Sequence, residues 1–113
     1  MTRLMTLLAT AGMTGVLWVS AAAAGELSTR QLRGLFPGKF HAVVRGATVQ
    51  FTARRNGRLI GHYNSATDQG RWSVSKGRLC IVLDTWMDGK MACSTVTEKD
   101  GWYWAADVRF RRI

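Results

Sequence analysis

The chain has 113 residues, of which 16 are Lys or Arg and 7 are Asp or Glu, with two Cys and one Pro. That length holds one domain and excludes a TIM barrel, a two-domain enzyme or a full dinucleotide-binding fold. Hydrophobic residues make up 47% and charged residues 20%, a balance that supports a packed globule and excludes a disordered tail.

Met1 to Ala24 reads as a secretory leader. Arg3 gives it a positive start, Leu4 to Val19 is uncharged and apolar, and Ala21 to Ala24 offers the small residues a signal peptidase needs. The apolar stretch is shorter than the roughly 20 residues of a spanning helix, so cleavage is expected in place of a retained anchor. The absence of Cys near the cut excludes a lipid anchor of the kind built on a cleaved N-terminal Cys. The expected domain is 25–113, periplasmic or secreted, with no transmembrane span after processing. Taking 24 residues from 113 leaves 89, carrying 15 basic groups against 7 acidic ones. A domain of this size buries a modest share of its surface and gains from a covalent tie.

Along this domain, Glu26 to Leu35 has a helical signature: Ser28 can cap, and Leu32, Leu35 and Phe36 recur on one face until Pro37-Gly38 ends it. The apolar residues then alternate with period two between turn signals, the pattern of consecutive antiparallel strands. Phe40, Ala42 and Val44 share one side of a first strand, and Val49, Phe51 and Ala53 one side of a second. Asn56-Gly57 marks a hairpin turn. Leu59, Gly61 and Tyr63 form a third strand, followed by a polar loop at Ser65 to Gln69 and a fourth strand with Trp72 and Val74. Leu79 to Leu83 is apolar on both faces, which suggests a central strand with the barrel or sheet interior on one side and the helix on the other. After a loop around Trp86 to Gly89 come Met91, Cys93 and Thr95. Trp102, Trp104, Ala106, Val108 and Phe110 then read as one long alternating row, with Arg109 and Arg111 on its opposite side. The expected fold is all-β: a small antiparallel meander, barrel-like or strongly curved, with one short N-terminal helix.

Cys80 and Cys93 are the only cysteines, and an exported chain carries them into an oxidising compartment, so a disulfide is expected. A metal pair or a redox dithiol is the alternative, but no Cys-x-x-Cys spacing is present. A register with Cys80 opposite Cys93 conflicts with a two-residue turn at Asp88-Gly89, and a bulge at Gly89 would reconcile them.

The run Gly70-Arg71-Trp72-Ser73-Val74, then Gly77-Arg78-Leu79-Cys80, then Cys93 and Trp102-Tyr103, resembles a family of small exported Gram-negative bacterial proteins that carries only a domain-of-unknown-function label. The likeness spans about Leu27 to Tyr103. It implies a disulfide-linked β meander in the periplasm and assigns no catalytic residues.

His41 and His62 fall on outward sides of their strands, where solvated imidazoles are common; as a metal or haem pair they lack further ligands at useful spacing. Asp84, Asp88, Glu98, Asp100 and Asp107 mostly occupy turns or strand ends, where Asp serves backbone geometry. No Gly-x-Ser-x-Gly nucleophile motif is present. A non-enzymatic role without metal or cofactor is therefore expected.

The basic residues are the informative ones. After leader removal, Arg outnumbers Lys by 11 to 4, and the guanidinium fork matches carboxylate and phosphate oxygens in pairs. Arg54, Arg55 and Arg58 cluster near the early hairpins, Arg71 flanks Trp72, and Arg109 and Arg111 lie near the C-terminus. Trp72, Trp102 and Trp104 share the phase of apolar neighbours and read as core. Trp86, in a turn-like stretch, is either a stacking platform or a lid on the barrel end, and Tyr103 alternates outward. The expected function is binding of an anionic envelope component, such as lipopolysaccharide, an acidic glycan or an acidic protein. The alternative is a small inhibitor or partner of an envelope enzyme that inserts the Trp86 loop. Export away from the cytoplasm disfavours nucleic acid.

Overall fold

The computed structural model describes residues 25–113; the leader expected over residues 1–24, with its cleavage site, lies outside the described residues. Ser28 begins the first element with a reciprocal capping box. Its Oγ accepts from the Gln31 N–H, and the Gln31 side chain accepts from the Ser28 N–H. Helix α1 (Thr29–Leu35) follows, with Leu32 and Leu35 buried. The chain leaves it through Phe36 and a cis Phe36–Pro37 bond.

Nine strands follow among the described residues: β1 (Gly38–Val44), β2 (Ala47–Ala53), β3 (Arg58–Tyr63), β4 (Ala66–Ser75), β5 (Arg78–Leu83), β6 (Ala92–Ser94), β7 (Val96–Lys99), β8 (Trp102–Ala105) and β9 (Val108–Arg112). They form one antiparallel sheet in the order β6-β5-β4-β3-β2-β1-β9-β8-β7. The two edge strands, β6 and β7, are separated in sequence by Thr95 alone. The sheet therefore curls until its edges meet, a nearly closed barrel that leaves little edge to template aggregation. Gly25 to Leu27 cover the free side of β7: the Leu27 N–H donates to the Val96 carbonyl at 2.8 Å and the Glu98 N–H to the Gly25 carbonyl at 2.6 Å.

Period-two alternation sets the interior. Phe40 and Ala42 of β1, Ala53 of β2, Leu59 of β3, Val74 of β4, Leu79 and Leu83 of β5 and Phe110 of β9 are buried in one cluster with Leu27, Leu32 and Leu35. The helix closes one end of the barrel. The Phe36 ring lies 4.6 Å from Phe40, 5.5 Å from Trp72 and 6.0 Å from Phe110, on strands β1, β4 and β9. The Gly77 N–H donates to Thr29 Oγ1, and the Arg112 guanidinium donates to the Leu35 carbonyl, a cation at a helix C-terminus where the macrodipole favours one. This corrects the expectation that α1 covers the outer face of β5. A barrel this narrow has no room for a helix within it, so the helix meets the core at an end.

The end away from α1 gathers the turns at Arg45-Gly46, Asn64-Ser65 and Ala106-Asp107 and the long loop 84–91. That loop resolves the β5–β6 register. Cys80 is the direct partner of Cys93, with Leu79 opposite Ser94, and the two cysteines form the expected disulfide; no tight turn with a bulge is needed. The polar loop expected at Ser65 to Gln69 is instead strand from Ala66 onward. Its polar character belongs to the outer face, where Thr67 and Gln69 are exposed while Asp68 and Gly70 between them are buried. Gly70 sits where β4 and β5 approach closely: a Cβ there would lie 2.7 Å from the Val82 carbonyl carbon and 2.9 Å from the Leu83 Cα.

The largest correction concerns the last hairpin. Trp102 and Trp104 do not continue the row of Val108 and Phe110. Ala106-Asp107 is a two-residue turn, and pairing across it sets Tyr103 opposite Phe110 and Trp104 opposite Arg109. Facing residues in such a hairpin have opposite parity, so the phase inverts. Tyr103, expected to face outward, stacks on Phe110 at 5.6 Å and packs against the core. The two tryptophans join Arg109 on the outer wall.

A cationic aromatic recess as candidate binding site

The inverted phase brings together residue types that the sequence places on opposite faces. On the outer wall, Trp102 receives two guanidinium groups, Arg109 Cζ 4.5 Å and Arg111 Cζ 4.6 Å from its ring centroid. The aromatic quadrupole attracts each cation, a contribution of about 0.5–1 kcal/mol per contact where partly exposed. A stacked guanidinium uses its face, which leaves the N–H groups on its edge free for an oxyanion. His41 lies beside this cluster, 6.2 Å from Trp102 and directly opposite Arg111 in the β1–β9 ladder.

Thr97, Lys99, Asp100, Trp102, Trp104 and Arg109 line an open recess of about 460 Å³ on this wall. The ladder explains the assembly: β7 pairs Thr97 with Trp104 and Lys99 with Trp102, and β9 adds Arg109 opposite Trp104. Two cationic side chains, a half-buried indole pair, one threonine hydroxyl and the Asp100 carboxylate thus line one volume. Such a set can stack a ring and bond its charged oxygens.

The remaining candidates fall elsewhere. Arg58 and Arg71 are direct cross-strand partners on β3 and β4, and Arg54 and Arg55 occupy the β2–β3 turn beside them. This second basic cluster is separated from the recess by β2 and β1 in the sheet order. Its like charges lie side by side, and the Arg58 guanidinium donates to the Gln69 amide oxygen, a partner that neutralises nothing. Arg78 likewise donates to a backbone carbonyl, that of Cys93, at 3.2 Å. Trp86 lies at the open end of the barrel, where its ring rests against Gly61. Tyr103 is turned away from both arginine clusters.

His41 and His62 flank Gln50 in one cross-strand row, and among the described residues no group of three or more His, Cys, Asp or Glu gathers as a metal site. Sequence reading identified Arg109 and Arg111 but missed Trp102 and Trp104 as surface residues. The usable signal was Asp107, a turn-former that divides the row in two. No protein-family model, curated protein or solved structure matches the chain.

Proposed function

We propose that this chain is a non-catalytic binding protein of the cell envelope that holds an anionic ligand on its outer wall, with phosphate- or carboxylate-bearing glycan, lipopolysaccharide included, as the ligand class. The observation that carries the reading is Trp102 between Arg109 and Arg111, above a recess also lined by Lys99 and Trp104. The indoles offer ring-stacking surface and the guanidinium edges offer paired donors, a combination suited to an acidic saccharide. The excess of basic over acidic residues steers such a ligand inward from a distance. The leader expected from the sequence and the disulfide between Cys80 and Cys93 support an exported setting. The inhibitor reading has less support, because Trp86 rests on Gly61 and is not held out as an insertion loop.

The test is retention of the purified domain on immobilised lipopolysaccharide and on an acidic polysaccharide. Affinity is expected to fall steeply between about 50 and 200 mM salt, as screening shortens the reach of exposed charges. Trp102→Ala and Arg109→Ala should each weaken binding about three- to tenfold, the equivalent of roughly 0.7–1.4 kcal/mol. Retention that ignores salt, or that survives both substitutions unchanged, overturns the proposal.

A further inference from the structure

A cavity lies inside the barrel. The end of the interior next to α1 is closed: Leu32 is fully buried, and Phe36, Phe40 and Leu79 form the floor of the space beyond it. Toward the open end the interior is not filled. Val44, Phe51, Ile81, Ala105 and Val108 belong to the inward-facing rows, yet each remains only partly buried, because they line a cavity of about 380 Å³ and not a packed core. Trp86 and Met87 of the 84–91 loop complete the wall at the mouth. The large hydrophobic side chains exposed in the described domain gather at the same end, Tyr63 at 42%, Trp86 at 37% and Met91 at 58%, with Ile113 the exception at the other end.

The mouth has a defined construction. Phe51, Gly61 and Asp68 are successive partners across β2, β3 and β4. Gly61 leaves room for the Trp86 ring, since a Cβ there would lie 3.2 Å from Cε3 of Trp86 and closer still to Cζ3. Asp68, beside it, accepts the backbone N–H groups of Thr85 and Trp86 at 2.9 and 2.7 Å. The loop is thereby fixed with its aromatic and thioether side chains over the opening. Concave, mainly apolar, partly preformed volumes of a few hundred Å³ are the usual form of small-ligand sites.

We infer that this cavity binds a single hydrocarbon chain of a ligand with an uncharged head group, such as a long-chain alcohol. At roughly 30 Å³ per heavy atom, the share a water takes in the liquid, a volume of about 380 Å³ accommodates about a dozen heavy atoms. The walls offer an alkyl chain apolar contact along its length. The head group is uncharged on two counts: a carboxylate would meet Asp107, the ionisable group on the lining, with Asp84 and Asp88 on the adjacent loop, and an ammonium would meet Arg45 and Lys90 at the same end. This site is separate from the outer-wall recess and stands or falls independently of it.

The experiment is displacement of an uncharged fluorogenic naphthylamine probe by n-alkanols of eight to sixteen carbons, with the folded, disulfide-bonded domain. Affinity should rise about fourfold per methylene, the ratio given by about 0.8 kcal/mol per buried CH₂, and level off near the chain length that fills the cavity. Dodecanoate should bind at least tenfold more weakly than dodecanol. Ala105→Phe within the cavity and, separately, Val44→Trp near its mouth should move the plateau to shorter chains; either variant that keeps its disulfide and β spectrum suffices. Dodecanol should also shift the tryptophan emission of the unmodified domain, and Trp86→Phe should abolish that shift while probe displacement persists. A length series that keeps climbing through sixteen carbons, equal or tighter binding of the carboxylate, or probe displacement indifferent to both filling substitutions overturns the inference. So does a dimer seated mouth to mouth with no alkanol taken up.

Discussion

Asp68 is the buried charged side chain of the described domain, at 7% exposure. Its Oδ2 accepts from the N–H groups of Thr85 and Trp86, and its Oδ1 from that of Gln69 at 2.9 Å. The Trp86 N–H is the largest influence on its carboxyl, which is held below the ordinary value of 3.8; burial opposes the shift, and the Thr85 and Gln69 donors add to it. A carboxylate whose folded pKa is depressed contributes stability that is present above the unfolded value and is lost as pH falls through the folded one. The 84–91 loop should therefore stay docked from neutral pH down to about pH 4 and release in stronger acid, read as lost amide-exchange protection at Thr85 and Trp86. Asp68→Asn retains one acceptor oxygen but no charge. It should speed exchange at those two amides severalfold at neutral pH and abolish the acid transition. An unchanged acid transition in that variant would place its origin in another group.

Between β5 and β6 the ladder is only three residue pairs long, Leu79–Ser94, Cys80–Cys93 and Ile81–Ala92, and the disulfide is one of them. Replacing both cysteines with serine should cost about 2–3 kcal/mol in urea unfolding, since the bridge closes a loop of fewer than 15 residues. Exchange protection should be lost first at Ala92 to Ser94, while the β1–β2 ladder keeps its own. Gly70→Ala tests the opposite fault, overcrowding: the added methyl meets the backbone of Val82 and Leu83 and not a flexible side chain, so a loss of about 1–3 kcal/mol is expected. These elements differ in how openly the sequence announced them. The Ser28 cap, the first two strands and the Asn56-Gly57 turn were legible because each carries its own local chemistry. The β8–β9 hairpin was not, because Ala106 takes a positive φ of 54° that alanine rarely adopts, in a turn without Gly or Asn. Missing that turn kept Trp102 and Trp104 apart from Arg109, so the recess was half legible. The interior cavity was hidden for another reason: alternation says which residues face inward, whereas the space left between them depends on closure of the whole ring.

Closure also segregates charge. From β1 to β5 each strand reverses the last, so the turns after β2 and β4 lie at the helix end, bringing Arg54, Arg55 and Arg58 near Lys76 and Arg78, with Arg30 and Arg33 on α1. At the open end Arg45 and Lys90 face Asp84, Asp88 and Asp107. A molecule charged in this way is turned by an anionic surface before it touches, helix end first, and the cavity mouth then points away from that surface. The distinction between orientation and net charge is measurable with two double substitutions of equal charge change. Arg54→Glu with Arg55→Glu alters the helix end; Arg45→Glu with Lys90→Glu alters the mouth. Neither pair removes a β2–β3 turn hydrogen bond, since these join backbone atoms of Arg54, Gly57 and Arg58 and the Asn56 side chain, which accepts from the Arg58 N–H. On immobilised lipopolysaccharide the helix-end pair should elute at clearly lower salt than the mouth pair, and Trp102→Ala should weaken binding with little change in salt dependence, because it removes a ring and no charge. Equal elution of the two pairs would mean that net charge alone sets the attraction, and the polarised layout of the barrel would then have no part in how it meets its ligand.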